Sequence, residues 1–377
     1  MTGGTAGRVV VAPDKFRGSL TSPEVAAHVA AGLRAAGAGR VPVVPLPVAD
    51  GGDGTVEAVV ASGFTRVETE VTGPLGTRVT AAYAVRDEPD GRVAVVELAE
   101  ASGLRRLPEG AAPAPLTATS HGTGELIAHA VRHGARRIVL GLGGSACTDG
   151  GAGMAQALGV RLLDAAGNDL PPGGAALRDL RAIDTSGRPR GFEVVVASDV
   201  DNPLLGPYGA AAVYGPQKGA TPEDVAVLET GLARLAVHAP GLAGRPGSGA
   251  AGGVGFGALA FLDAEIRPGI GYLLDLVDFD RHVRGARLVI TGEGSIDEQT
   301  LRGKAPMGVA TAAARHGVPV VAVCGRRSVS DEELRAVGIE AAYALTDIEP
   351  DPHRCMTEAG PLLERLTGRI ATAFLTP

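Results

Sequence analysis

Acidic residues recur where runs of β-branched residues give way to turns. Asp14 closes RVVVAPD, Asp50 and Asp53 sit in VADGGDGT, and Asp149 lies in GGSACTDGG. Asp199 and Asp201 follow VVVA in VVVASDVDNPL, and Glu293 and Asp297 fall in ITGEGSIDE. A lone Asp in such a place commonly makes a turn or caps a helix. Five acidic strand ends are a different matter, because ligands of open α/β sheets bind at the C-terminal edge and that much negative charge calls for a cation. Magnesium with a phosphorylated ligand suits the pattern, since it takes few carboxylates and leaves its other positions to water and phosphate. The cations point the same way. Of 35 Lys and Arg residues only three are Lys, and Lys15, Lys218 and Lys304 all fall in glycine-containing, loop-like stretches where a compact ammonium fits phosphate.

The stretch IVLGLGGSACTDGGAG, residues 138–153, raises a rival chemistry. Its glycines permit positive φ and close approach of a ligand to bare N–H groups. Gly141, Gly143 and Ala146 satisfy a relaxed dinucleotide fingerprint, and Asp164 follows at the interval at which an acid holds a ribose. A nicotinamide-dependent dehydrogenase is therefore one reading. Against it, Gly253, Gly255 and Ala258 match the same pattern in a chain with 56 glycines. Asp149 would also repel a pyrophosphate at the start of the next helix. No G-x-x-x-x-G-K-[ST] or H-E-x-x-H occurs, and Ser145 lacks the G-x-S-x-G elbow of a nucleophile.

The elements that must position these residues follow a strand, turn, helix grammar. RVVVAPD precedes Ser22, Pro23 and Glu24, where Ser22 can cap a helix whose Val25, Val29 and Leu33 recur every four residues. The grammar returns at 41–50, 136–144, 286–294 and 318–325, the last followed by a capping box of Ser330 and Glu333. It implies mostly parallel sheets covered on both faces. Residues 66–100 break the alternation: three strands joined by GPLG and DEPDG turns read as an antiparallel meander. Residues 286–347 then resume the first pattern. The fold expected is α/β, with two α/β domains. A Rossmann-like parallel-sheet domain is formed by both chain ends, 1–65 with 286–377, and a mixed-sheet α/β domain, 66–285, is inserted. The glycine-rich 240–258 reads as a loop within the insert.

Composition removes several classes. The net charge of −7 and a total of five Tyr, seven Phe and no Trp argue against a nucleic-acid surface. No run of apolar residues is long enough for a membrane span, and the N-terminus lacks a secretory h-region, so a cytoplasmic protein with small-molecule partners is expected. Cys147, Cys324 and Cys355 are too widely spaced for a zinc site and read as packing residues. Net charge alone sets no oligomeric state.

Taken in order, APDKFRGSL, VADGGDGT, TGPLG, SHGTGELI, LGGSACTDGG, SDVDNPLLGPYGAAAVYGPQKGAT, GAAGGVGFG and ITGEGSIDEQTLRGKAPMGVA resemble the bacterial glycerate kinases of the first type over nearly the whole chain. Two departures are small. Arg17 stands where the family usually has lysine, and Cys147 and Thr148 stand where it often has Thr and Asn. The resemblance implies one α/β domain inserted in another, with the site in the cleft between. It also implies transfer of the γ-phosphoryl of ATP to D-glycerate, favouring 2-phosphoglycerate over 3-phosphoglycerate. A metabolite sensor sharing the fold without catalysis is a further alternative, though every acid of the matched motifs is present.

Roles follow from what phosphoryl transfer needs: positioning, neutralisation of charge and a proton acceptor. Asp199, with Asp201 as alternate, is the expected base, because Asn202-Pro203 would hold a carboxylate at a strand end. Asp149, Glu293 and Asp297 are the expected magnesium ligands. Asp14, Asp50, Asp53 and Asn202 are expected to orient substrate, and Arg17 with the N–H groups around Ser19 to hold the glycerate carboxylate. Lys218, Arg302 and Lys304 are the cations available to the γ-phosphate. Gly143, Gly144, Ser145, Thr148 and Gly292 are expected to contact phosphate or nucleotide.

Overall fold

The computed structural model describes residues 7–38 and 41–375. Among them thirteen strands form. In chain order they are β1 (Val9–Pro13), β2 (Val43–Pro45), β3 (Thr65–Thr72), β4 (Arg78–Glu88), β5 (Gly91–Glu97), β6 (Ala135–Gly141) and β7 (Arg161–Leu163). There follow β8 (Ala182–Asp184), β9 (Glu193–Ala197), β10 (Glu265–Arg267), β11 (Leu288–Ile296), β12 (Val320–Arg327) and β13 (Ala341–Ala344). The chain divides into two compact units, one of residues up to Asp50 with Glu57–Gly63 and Ile270 onward, the other of Gly51–Val56 and Phe64–Gly269.

The first unit carries a sheet in the order β13-β12-β11-β1-β2, every pair parallel. β1 is an interior strand and fully buried, as a VVVA run requires when helices cover both faces. Val25, Val29 and Leu33 of the helix Ser22–Leu33 pack on it together with Leu362, Leu363 and Leu366 of the helix Ala359–Phe374. The cap of the first helix is Thr21, one residue before the Ser22 that the sequence suggested. Thr21 and Glu24 close a capping box, and Ser22 instead turns its hydroxyl to Asp14. Ser330 and Glu333 form the expected box.

The second unit has a mixed sheet, β10-β9-β6-β5-β4-β3, in which β3, β4 and β5 form the antiparallel meander and the rest are parallel. A separate hairpin pairs β7 with β8. Residues from 250 belong to a helix, Ala250–Leu262, where a loop was expected. Its first turn carries positive φ at Ala251, Gly252 and Gly253, which the glycines permit and which hid the helix from a periodicity reading. The second boundary lies at 269/270 rather than 285. Residues 270–285 pack with the first unit: Ile270 lies against Gly308, and Asp280 pairs with Arg315 at 3.0 Å and His316 at 3.1 Å.

Candidate functional site

In the first unit, the C-terminal edge of the parallel sheet carries a cavity of ≈ 650 Å³ lined by Asp14, Lys15, Arg17, Ser19, Asp50, Glu293, Asp297 and Lys304 among others. β1 delivers Asp14 there, its N–H donating to the Gly292 carbonyl at 2.8 Å as the chain leaves the sheet. Asp14 is 8% exposed, and its Oδ1 accepts from the Lys15 N–H at 2.7 Å and the Ser22 hydroxyl at 3.3 Å. Burial pushes its carboxyl up to about 6, against the pull of the Lys15 ammonium and with the push of Asp50. Glu293, on β11, accepts from the Thr300 hydroxyl at 2.5 Å and has Lys304 Nζ at 3.9 Å. Burial pushes it up to about 7, opposed by Thr300 and Lys304 and helped by Asp14 and Asp297. Two buried acids thus face one cavity, and burial raises the affinity of both for a proton despite the lysines beside them.

Other expected residues of this unit have structural work. The Ser19 N–H and hydroxyl both donate to the Phe16 carbonyl, at 2.9 and 3.1 Å, so the Ser19 N–H is not offered to a carboxylate. Arg17 is exposed beside it and lines the cavity. Asp297 Oδ1 accepts from the N–H groups of Gln299 and Thr300 at 2.9 and 3.2 Å, folding the turn that carries Lys304, whose Nζ lies 3.7 Å away. Gly292 lies inside β11, where a Cβ would come within 2.3 Å of the Val323 carbonyl oxygen; it serves strand approach rather than nucleotide contact. Arg302 closes the turn Thr300–Arg302, and its side chain lies outside the described residues. Ser295, Gln299 and Arg326 also line the cavity and were missed, Arg326 donating to the Ser295 hydroxyl at 3.2 Å. Their signal was positional: each lies at or just past the end of β11 or β12.

In the second unit the glycine-rich turn after β6 is packed by backbone. A Cβ on Gly141 would lie 2.6 Å from the Gly51 carbonyl oxygen, and one on Gly143 2.3 Å from Gly52 Cα. Several of its N–H groups have internal partners. Gly143 donates to Gly51, Ala146 to Ser102, Gly150 to Gly252, and Gly151 and Gly153 to the Asp149 carboxylate. Gly144 and Ser145 pair with the strand-like Ser102–Leu104, Leu104 donating to the Gly144 carbonyl at 2.9 Å. The Gly143, Ala146, Gly150 and Gly151 N–H groups are thereby used within the protein. The dinucleotide reading does not fit, since the next helix, Ala152–Ala157, starts well beyond Ala146 and Asp164 folds its own exposed turn onto Ala166 and Asn168.

Asp149 is fully buried and accepts from five groups: the Ser120 N–H and hydroxyl, the Gly151 and Gly153 N–H groups and the Thr119 hydroxyl. A carboxylate so occupied ties the turn to the helix His121–Arg132 and is not disposed to bind a metal. Lys218 is also buried, its Nζ donating to the Cys147 carbonyl at 2.5 Å and lying 3.5 Å from Thr148 Oγ1. Burial lowers its pKa to about 8, while Asp149 helps keep the charge. Lys218 and Thr148 therefore brace the turn from inside. Asn202 locks its own loop, donating to the Tyr208 carbonyl at 2.9 Å and accepting from the Tyr214 hydroxyl at 2.7 Å. Asp199 and Asp201 are exposed just past β9, and Asp199 Oδ1 accepts from the Gly269 N–H at 2.9 Å. Asp53 pairs with Arg105 at 2.6 Å. All three cysteines are buried and free, and burial pushes the Cys147 and Cys324 thiols well above the usual range, as packing residues.

The profile of the Glycerate kinase family matches residues 9–375. The chain belongs to the glycerate kinase family. A glycerate kinase of Bacillus subtilis (strain 168) is 44% identical over 376 residues, covering 97% of each chain. The glycerate 2-kinase of Escherichia coli (strain K12) is 42% identical over 349 residues, covering 90% of each. A crystal structure from Salmonella typhimurium LT2, whose protein carries the provisional name glycerate kinase 2, superposes with a TM-score of 0.83 at 42% identity and covers 98% of both chains. The α/β architecture of this chain is thus that of a glycerate kinase, and the enzyme class is phosphotransferase. Membership makes ATP the co-substrate that such a kinase implies. Among the described residues no helix is long and apolar enough to cross a membrane.

Proposed function

We propose that this kinase transfers the γ-phosphoryl of ATP to D-glycerate and forms 2-phosphoglycerate. The observation that carries the reading is the cavity of the first unit, where Asp14 and Glu293 stand among Lys15, Arg17 and Lys304 at the C-terminal edge of a parallel sheet. Its ≈ 650 Å³ exceeds what a three-carbon acid fills and lies within the roughly 300–1,000 Å³ of nucleotide-sized sites.

Asp14 and Glu293 would hold magnesium. Among the described residues no three His, Cys, Asp or Glu side chains cluster to cage an ion alone. That suits a metal which takes one or two carboxylates and completes its sphere with phosphate and water. The raised affinity of both carboxyls for protons supports the fit, because burial disfavours their charge and a proton or a metal ion relieves it. Magnesium there supplies neutralisation of the charge on the transferred group. Lys304 and Arg17 bind phosphate oxygens. Lys304 is held in place by Asp297 and by its position at the N-cap of the helix Ala305–Ala314. Asp199 takes the hydroxyl proton of glycerate. Its support is an exposed carboxylate fixed by a backbone donor, in a unit whose Asp149, Glu97 and Glu100 are buried.

Phosphorus NMR of the enzyme with magnesium, ATP and D-glycerate tests the reading. A monoester signal matching 2-phosphoglycerate is expected. A 3-phosphoglycerate signal reverses the pose of glycerate, and unchanged ATP refutes the activity.

A further inference from the structure

The segment that carries Asp50 and Asp53 is held from an unexpected direction. Residues Gly51–Val56 group with the second unit, although Asp50 before them and Glu57–Gly63 after them group with the first. Backbone packing of Gly51 and Gly52 on Gly141, Gly143 and Ala197 holds the start of the segment, and two charged side chains of the second unit hold the rest. Glu97, the last residue of β5, is fully buried, and its Oε2 accepts from the N–H groups of Gly54 and Val56, both at 3.1 Å. Those donors open the helix Thr55–Ala61, so a carboxylate distant in sequence caps it. The other oxygen, Oε1, accepts from Arg105 Nη2 at 3.0 Å. Arg105 Nη1 continues to Asp53 Oδ1 at 2.6 Å, its Nη2 also meets Glu100, and its Nε donates to the Ala99 carbonyl at 3.3 Å. Glu100 is itself paired with Arg106 at 2.9 Å and accepts from the Ala82 N–H at 3.0 Å.

The charges say what this cluster is not. Three carboxylates, Asp53, Glu97 and Glu100, meet three guanidinium groups, those of Arg105 and Arg106 and, at 3.9 Å from Glu100, that of Arg66, so the charges of the cluster balance. The donors of Arg105 are taken up by Asp53, Glu97, Glu100 and the Ala99 carbonyl, so its guanidinium is engaged by the chain itself rather than offered to an anionic substrate. We propose that Arg105, backed by Glu97, is a positioning residue of the kinase: it fixes the 50–56 loop and, through it, the Asp50 carboxylate in the cavity and the orientation of Asp53. The planar fork is what the task requires. One side chain must reach Asp53 with one arm and Glu97 and Glu100 with the other, which the point charge of a lysine does not do. The cost of losing it falls on alignment, where a displacement of about 1 Å removes about a hundredfold in rate.

The inference rests on the proposed glycerate phosphorylation for its catalytic part and on geometry alone for its structural part, so two readouts are taken together. The variants are Arg105→Lys, Arg105→Ala and Glu97→Gln, each checked for a native circular-dichroism spectrum. Hydrogen exchange across 50–56 is expected to accelerate in all three. Their kcat is expected to fall by about ten- to a hundredfold while the KM for ATP stays within about threefold. Millimolar guanidinium is expected to restore part of the turnover of Arg105→Ala and none of that of Arg105→Lys, a pattern that general loss of stability does not produce. Unchanged exchange over 50–56 overturns the positioning. Accelerated exchange with native kcat in all three variants overturns its link to catalysis. Absence of turnover in the wild-type enzyme refutes the proposed reaction instead, and exchange then decides the positioning by itself.

Discussion

Replacing Glu293 by Gln should change how the stability of the first unit depends on pH. In the folded chain burial raises the Glu293 carboxyl from 4.5 to about 7, so between those values the folded state holds a proton that the unfolded chain has released. Stability from this group is therefore fully present below about pH 4.5 and is lost as the pH rises through about 7. A shift of that size is worth about 3 kcal/mol at most, of which about 2.5 kcal/mol falls between pH 5 and 8. The side chain is only 12% exposed, so little of this is lost to solvent screening. Asp14, raised from 3.8 to about 6, should add a loss in the same direction that is largely complete once the pH has risen through about 6. The assay is hydrogen exchange of peptides from β11 and β12 in the metal-free protein at pH 5, 6, 7 and 8, corrected for intrinsic rates. This reports opening of the first unit even where the whole chain does not unfold in one step. Wild type should lose about 2.5 kcal/mol more than Glu293→Gln over that range, retaining only the decline due to Asp14. Parallel profiles would mean that Glu293 is ionised in the fold and that the cation-seeking pair is not there.

Asp199→Asn should leave circular dichroism and thermal midpoint unchanged and lower turnover by at least about a hundredfold, the low end for a positioned base; near-native turnover shifts the role away from Asp199. Chelation with EDTA should abolish phosphorylation and added magnesium restore it, and persistence of turnover in excess chelator refutes the metal requirement. Gly51→Ala should destabilise the second unit by about 2–4 kcal/mol, because Gly51 has φ +89° and a Cβ would lie 2.2 Å from the Ala197 carbonyl oxygen. Gly63→Ala, at φ +100° but with open space around it, should cost only about 1 kcal/mol, and equal losses in urea titration would show that contact is not the cause.

Much of the architecture was legible because it is written in local periodicity. β1, the helix after it, the meander of β3 to β5 and the Ser330–Glu333 box each depend on residues within a few positions of one another. What local reading could not reach were the partners. The glycines of 141–151 look the same whether they admit a phosphate or another stretch of backbone. At Gly141, Gly143 and Gly151 what decides is that Gly51, Gly52 and Gly257, remote in sequence, occupy the space. Lys218 sits in the expected turn, yet the direction of its ammonium is set by the Cys147 carbonyl. Residues 270–285 read as part of the insert because nothing in their pattern shows that Ile270 will meet Gly308.

The acids at strand ends show how the fold sorts one residue pattern into different uses. Asp149 meets five donors and becomes a structural tie, and Glu97 meets two N–H groups and a guanidinium and becomes a cap and strut. Asp14 and Glu293 meet fewer donors in comparably buried surroundings, and each has its affinity for protons raised by that burial and by a neighbouring acid, Asp50 beside Asp14 and Asp14 beside Glu293. A buried carboxylate that the chain itself satisfies is bound to the structure, whereas one left with few donors stores an unfavourable desolvation that a metal ion or a proton relieves. Sequence shows that an acid closes a strand; only the count of donors brought to it by distant residues shows whether it is there to hold the protein together or to hold something else.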